Sequence, residues 1–199
     1  KLMQLILDSN HIGDPGTLAI ARSKHLEQLE DLCLFDNDFH RQTEAVLLAL
    51  WIRTLFRKYV SGDGKRLNLN GCNLGNRGAQ ALAKSEALGA IATLSLRNNH
   101  FDHKAIGALS ESDYVGNLKS LNLMCNPIGN KGALILSESP AFKGLKSLNI
   151  EESGITAIGL LALTRSKTLT GLEDLNLSRN DLGEKGIRYL ANSENFSDL

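Results

Sequence analysis

The chain has 199 residues, of which 22 are basic and 22 acidic, so its formal net charge is zero. That balance argues against broad nucleic-acid binding, which needs a strongly basic face, and leaves room only for a local patch. Charged residues make up 22% and hydrophobic residues 42%, as in an ordinary soluble fold, but aromatics are only 5%, so aliphatic side chains must build the core.

The chain opens KLMQLIL, without an initiator Met and already inside a pattern. It reads as a fragment of a longer array or a processed product, with no signal peptide and no apolar run long enough to span a bilayer. The pattern is an eleven-residue phrase, cleanest at Leu118 to Ile128, LKSLNLMCNPI. Leu118, Leu121, Leu123 and Ile128 hold its first, fourth, sixth and eleventh places, and Asn126 holds the ninth. Side chains alternate along an extended backbone, so Leu121 and Leu123 share a dry face while Ser120, Asn122 and Met124 point the other way.

The phrase begins at Leu2, Leu29, Gly64, Ile91, Leu118, Leu145 and Leu172, at spacings of 27, 35, 27, 27, 27 and 27 residues. Leu199 falls where an eighth copy would begin. Self-similarity at such a period marks a solenoid. The ninth place reads Asn10, Asn37, Cys72, Asn99, Asn126, Ser153 and Asn180. A small polar group there is expected to bond the turn backbone, and stacked copies to form a ladder that satisfies buried amides. Cys72 and Ser153 are the weak rungs.

The second half of each unit reads as a helix. Gly13/Gly16, Gly75/Gly78, Gly129/Gly132 and Gly183/Gly186 repeat a GxxG entry, with Pro15 tolerated in the first turn of its helix. Apolar residues follow at helical spacing, as in Ala133, Leu134 and Leu136. Ser23, Ser85, Ser112, Ser139, Ser166 and Ser193 recur at the twenty-second place, where they are expected to close the helix by bonding local backbone. The second unit is eight residues longer and lacks both glycines and the serine. Thr43 to Val60 predicts a helix lengthened by about two turns. Its apolar residues either pack over neighbouring units or leave an exposed docking patch at Val46, Leu50 and Trp51.

The phrase resembles the leucine-rich repeat pattern LxxLxLxxN/CxL, from LMQLILDSNHI through LEDLNLSRNDL, with only Gly64 and Ser153 departing from it. The resemblance covers essentially the whole chain as one domain, residues 1–199, of seven repeats. It implies an α/β right-handed solenoid, with a parallel sheet on the concave face and helices on the convex face. The helix-bearing 27-residue form resembles ribonuclease-inhibitor-like repeats, in a version common in bacterial proteins.

Outward columns of the sheet carry the individual residues. The third place reads Gln4, Asp31, Arg66, Thr93, Ser120, Ser147 and Asp174; the fifth Ile6, Cys33, Asn68, Ser95, Asn122, Asn149 and Asn176; the seventh Asp8, Phe35, Asn70, Arg97, Met124, Glu151 and Ser178. Seven strands at about 4.8 Å would offer a strip of roughly 30 Å, which suits a protein or peptide. The centre is basic and asparagine-rich, between ends that hold Asp8, Asp31 and Asp36 on one side and Glu151, Glu152, Glu173 and Asp174 on the other. Either this is a solvated face, or it is a partner surface built on Phe35, Arg66, Asn68, Asn70, Arg97, Asn122, Met124, Asn149 and Glu151.

No catalytic constellation is visible. His11, His25, His40, His100 and His103 are scattered, GNRGAQ and GNKGAL are not phosphate loops, and a metal at His100, His103 and Asp102 would need further ligands. Cys33, Cys72 and Cys125 include no CxxC pair, which fits a reducing, cytoplasmic-type compartment. The expectation is a non-catalytic protein- or peptide-binding module, with a monomer favoured and the oligomeric state left open, and with no cofactor, metal, nucleic-acid or membrane partner. Two alternatives remain: the recognition or regulatory region of a larger enzyme or bacterial effector, of ubiquitin-ligase or GTPase-activating type, and self-association through the long helix.

Overall fold

The computed structural model describes residues 2–26, 28–34, 37, 38 and 41–196. The chain forms two compact units, Lys1–Val60 and Ser61–Leu199. Among the described residues, seven short strands make two parallel sheets, a pair and a set of five, rather than the single ladder expected from the repeat. The expected strip therefore shortens, in the second unit, to five strands and roughly 20 Å.

The first unit runs β1 (Gln4–Ile6), α1 (Asp14–Arg22), β2 (Asp31–Cys33) and α2 (Arg41–Tyr59). The strands pair in parallel, Leu5 opposite Leu32. The lengthened second helix is present, within two residues of its predicted bounds. It buries Leu50, Ile52, Thr54, Leu55 and Phe56, and the hydroxyl of Thr43 donates to Asp14 of α1.

The second unit repeats strand, turn and helix five times: β3 (Arg66–Asn68), α3 (Gly75–Ala83), β4 (Thr93–Ser95), α4 (His103–Ser110), β5 (Ser120–Asn122), α5 (Gly129–Glu138), β6 (Ser147–Asn149), α6 (Ala157–Thr164), β7 (Asp174–Asn176) and α7 (Gly183–Ala191). Each strand aligns one repeat with the next, so Leu67, Leu94, Leu121, Leu148 and Leu175 form a continuous row. Leu94, Leu96, Leu123 and Leu148 are fully buried, as are Phe101, Leu136 and Leu160 behind them. Burial of each such side chain is worth about 1.5–3 kcal/mol.

The ninth-place ladder forms as the repeat predicts. The Asn126 amide donates to Leu96 O and Leu123 O, at 3.0 and 2.8 Å, and its Oδ1 accepts from Asn99 N and Phe101 N at 2.9 and 3.1 Å. Asn99 and Asn180 make the same crossings, and so does Asn37 in the first unit. Ser153 is too short for it. Its N–H reaches Asn180 Oδ1, but Ile128 N–H, which an asparagine oxygen at this rung would accept, turns back to Asn126 O at 2.7 Å. Cys72 is half-buried.

A second ladder runs along the helix ends. The twenty-second-place hydroxyls reach across one repeat as well as bonding locally: Ser112 to Ala83 O, Ser139 to Ser110 O, Ser166 to Ser137 O and Ser193 to Thr164 O, at 2.5, 3.3, 2.6 and 3.1 Å. The expectation of a purely local role is corrected here. A helix leaves its last carbonyls unpaired, and the next repeat's serine satisfies one of them.

Two kinds of helix entry alternate. In α3, α5 and α7 the twelfth place is Gly75, Gly129 or Gly183, at φ of +56°, +63° and +59°, a left-handed turn that glycine makes without strain. In α4 and α6 that place is Asp102 or Thr156, whose side chain caps Lys104 N or Ile158 N.

Candidate functional site

Three outward columns of the five-stranded sheet are the candidate surface. Arg66, Asn68, Asn70 and Arg97 are exposed, while Asn122, Met124, Asn149 and Glu151 are half-buried. Strand register sets them side by side: Asn68 opposite Ser95, Ser95 opposite Asn122, and Asn122 opposite Asn149. Arg97 and Met124 hold the same place on adjacent repeats, beside the bond from Asn98 N to Met124 O at 3.0 Å. The eighth place next to them is left-handed in every described repeat of this unit: Gly71, Asn98, Cys125, Glu152 and Arg179. Each non-glycine there costs about 1–2 kcal/mol.

The fifth-place asparagines have a structural duty that strand alternation does not reveal. Oδ1 of Asn68, Asn122, Asn149 and Asn176 accepts the N–H two residues on, of Asn70, Met124, Glu151 and Ser178, at 3.2, 2.9, 2.9 and 2.9 Å. Where Ser95 interrupts the column, Asn70 substitutes from the preceding repeat, accepting Arg97 N–H at 2.9 Å and the Ser95 hydroxyl at 2.7 Å. The recurrence of Asn at this place was the available signal, by the same logic that identified the ninth-place ladder.

The acidic end of this surface is internally engaged. Arg179 approaches Glu151 at 3.5 Å and Glu152 at 3.4 Å. Lys146 pairs with Glu173 at 2.7 Å, and the Ser147 hydroxyl donates to Asp174 at 2.8 Å. Arg66 stands 3.9 Å from Asp63. Arg97 has no ion pair among the described residues. Arg97 thus stands without an ion pair in the basic centre, at the place that Met124 holds on the next repeat.

In the first unit, Phe35, Asp36 and His40 lie outside the described residues, as does Leu199 at the other end of the chain. On α2, Val46 is exposed and Trp51 half-buried, but Leu50 is 5% exposed. The expected docking patch of Val46, Leu50 and Trp51 is therefore corrected: Leu50 faces the core, because it falls on the helix face shared with Thr43 and Thr54.

Burial, with the charges of Asp31 and Asp8, pushes the Cys33 thiol up against a smaller opposing effect of Lys58, which disfavours the reactive thiolate. His103 Nδ1 is 4.0 Å from Asp102 Oδ1, and His11 Nδ1 is 3.2 Å from Asp38 Oδ2. Among the described residues no group of three or more His, Cys, Asp or Glu is placed to hold a metal ion, and no helix is long and apolar enough to cross a membrane. Among the described residues, open grooves of about 430, 440 and 540 Å³ lie between successive helices α3/α4, α5/α6 and α6/α7.

The leucine-rich repeat family model matches residues 1–21, 65–83, 117–137 and 169–191. These are the first, third, fifth and seventh repeats, the ones with the GxxG entry. No curated protein matches the chain. Among solved structures, an internalin (inlF) from Listeria monocytogenes is 14% identical, over all of this chain and 85% of that one, at a TM-score of 0.26. A superposition that low carries no argument; the matched repeats and the stacked strand–helix units support a leucine-rich repeat fold.

Proposed function

We propose that this chain, an α/β fold of leucine-rich repeats, is a non-catalytic module that receives a protein or peptide on the sheet face of its second unit. The observation that carries the reading is that Arg97 and Met124 hold the same place on adjacent repeats, just past the in-register strands: a guanidinium with no ion pair among the described residues, and a half-buried thioether. Arg and Met contribute disproportionately to interface energy, and a surface already fixed by ladders loses little entropy on binding. Arg66, Asn68, Asn70, Asn122, Asn149 and Glu151 complete the contact area, with Phe35 a further candidate in the first unit.

The 27-residue spacing with a helix in every repeat supports the ribonuclease-inhibitor-like subtype. Cys33, Cys72 and Cys125, which form no disulfide among the described residues, support a reducing compartment. Self-association through α2 loses support from the burial of Leu50.

The test is affinity capture from the native cell, with the Arg97→Ala/Met124→Ala double variant as its control. A partner that binds the wild type and is lost, or weakened at least tenfold, with the folded double variant supports the site. Equal capture by both moves the site elsewhere.

A further inference from the structure

The orientation of the fifth-place amides is physically fixed. The N–H groups of Met124 and Glu151 can only donate, so the amide oxygens of Asn122 and Asn149, each at 2.9 Å, must face the backbone. The Nδ2 groups are thereby turned away from it. Among the described residues, those of Asn68, Asn122 and Asn149 have no acceptor. At the end of the sheet the same group is occupied: Asn176 Nδ2 donates to the carboxylate of Glu151 at 3.1 Å. The chain itself thus displays what this column accepts.

The carboxylates on the same face are already used. The three columns of β3 to β7 contain only two carboxylates, Glu151 and Asp174. Glu151 is held by Asn176 and Arg179, and Asp174 by Ser147. What stands free is a row of amide donors beside the Arg97 guanidinium.

We propose that the partner presents an acidic segment, whose carboxylates take the Asn122 and Asn149 amides and the Arg97 guanidinium, with an apolar residue against Met124. This rests on the sheet-face reading above and names the chemical class it recognises. Charged hydrogen bonds of this kind are roughly twice as strong as neutral ones. A nucleic-acid backbone fits poorly, since it needs many cations and this face offers Arg97 with Arg66.

The experiment is selection of a displayed random 12-residue peptide library on the full chain. Four versions are compared: wild type, Asn122→Asp, Arg97→Glu and Arg97→Ala/Met124→Ala. Asn122→Asp keeps the oxygen that holds Met124 N–H but replaces the outward donor with an acceptor, so folding is preserved while recognition changes. The expected result is enrichment of Asp and Glu on the wild type. Selected clones should weaken at least tenfold on Asn122→Asp and on Arg97→Glu, and further as salt rises. If Asn122→Asp shows a lowered melting midpoint, Arg97→Glu reads the same contact from an exposed position. Neutral or basic clones that the double variant abolishes would overturn the acidic partner and leave the sheet-face site standing. Clones indifferent to the double variant, or no enrichment at all, would overturn both.

Discussion

Asn130 Oδ1 accepts the backbone N–H of Thr156, one repeat further on, at 2.9 Å. The same oxygen accepts Gly159 N–H at 3.0 Å, and its amide donates to the Thr156 hydroxyl at 2.9 Å. Asn76 does the first of these for Asp102, at 3.2 Å. The glycine-entry repeats therefore help to cap the helix of the repeat that follows them, and the structural unit is a pair of repeats. The family match on alternate repeats follows the same division.

Removing that clamp should destabilise the fold. Asn130→Ala strips three bonds from the start of α6, which costs about 2 kcal/mol when donors are left half-buried. Gly159 is what lets Asn130 in: a Cβ there would stand 2.6 Å from Asn130 Oδ1. Gly159→Ala should be more harmful in the wild type than in the Asn130→Ala background, where that obstacle is gone. Urea unfolding of the two single variants and the double variant measures this. Additive losses would mean that the two residues do not act through one contact.

The weak ladder rung can be repaired. Ser153→Asn supplies an oxygen for Ile128 N–H and an amide for Leu123 O, matching the neighbouring Asn126 and Asn180 rungs. A gain of about 1 kcal/mol is expected. A lower melting temperature would show instead that the turn has closed around serine too tightly to admit the larger side chain.

The scaffold was legible because its residues recur. Leu121, Leu123 and Asn126 are predictable from their copies, and each lies where the phrase puts it. The site was legible only as far as strand alternation reaches. Alternation says that Asn122 faces outward; it does not say that its oxygen bonds Met124 N–H and leaves only nitrogen for a partner. Nor does sequence order show that Arg179, left-handed at φ +55°, meets Glu151 and Glu152 of the previous repeat. The eight-residue insertion was visible as a longer α2, but not the division of the strands into two sheets, because pairing depends on backbone geometry rather than on residue type.

Asp102 gives a pH signature. Burial raises its carboxyl, but Lys104 N–H, the Asn76 side chain and the charges of His103 and Lys104 outweigh it and hold it below its ordinary value. A depressed carboxyl stabilises fully above the ordinary aspartate range, and the contribution is lost as pH falls through that range to the folded value. Asn in its place still caps Lys104 N–H but does not titrate. Wild type should therefore exceed Asp102→Asn in stability at neutral pH, with the margin shrinking toward pH 3. Parallel curves across that span in chemical denaturation would reject the assignment.

Thr17, in α1 of the first unit, should improve on replacement. It is fully buried, and its hydroxyl has no hydrogen-bond partner among the described residues. A buried polar group left unpaired costs about 1–3 kcal/mol. Thr17→Val keeps the β-branched shape, so helix propensity and packing change little. The expected outcome is a gain of about 1 kcal/mol, read as a higher urea midpoint at unchanged slope. A loss would mean that the hydroxyl is served by an ordered water, whose removal costs more than the unpaired group saves.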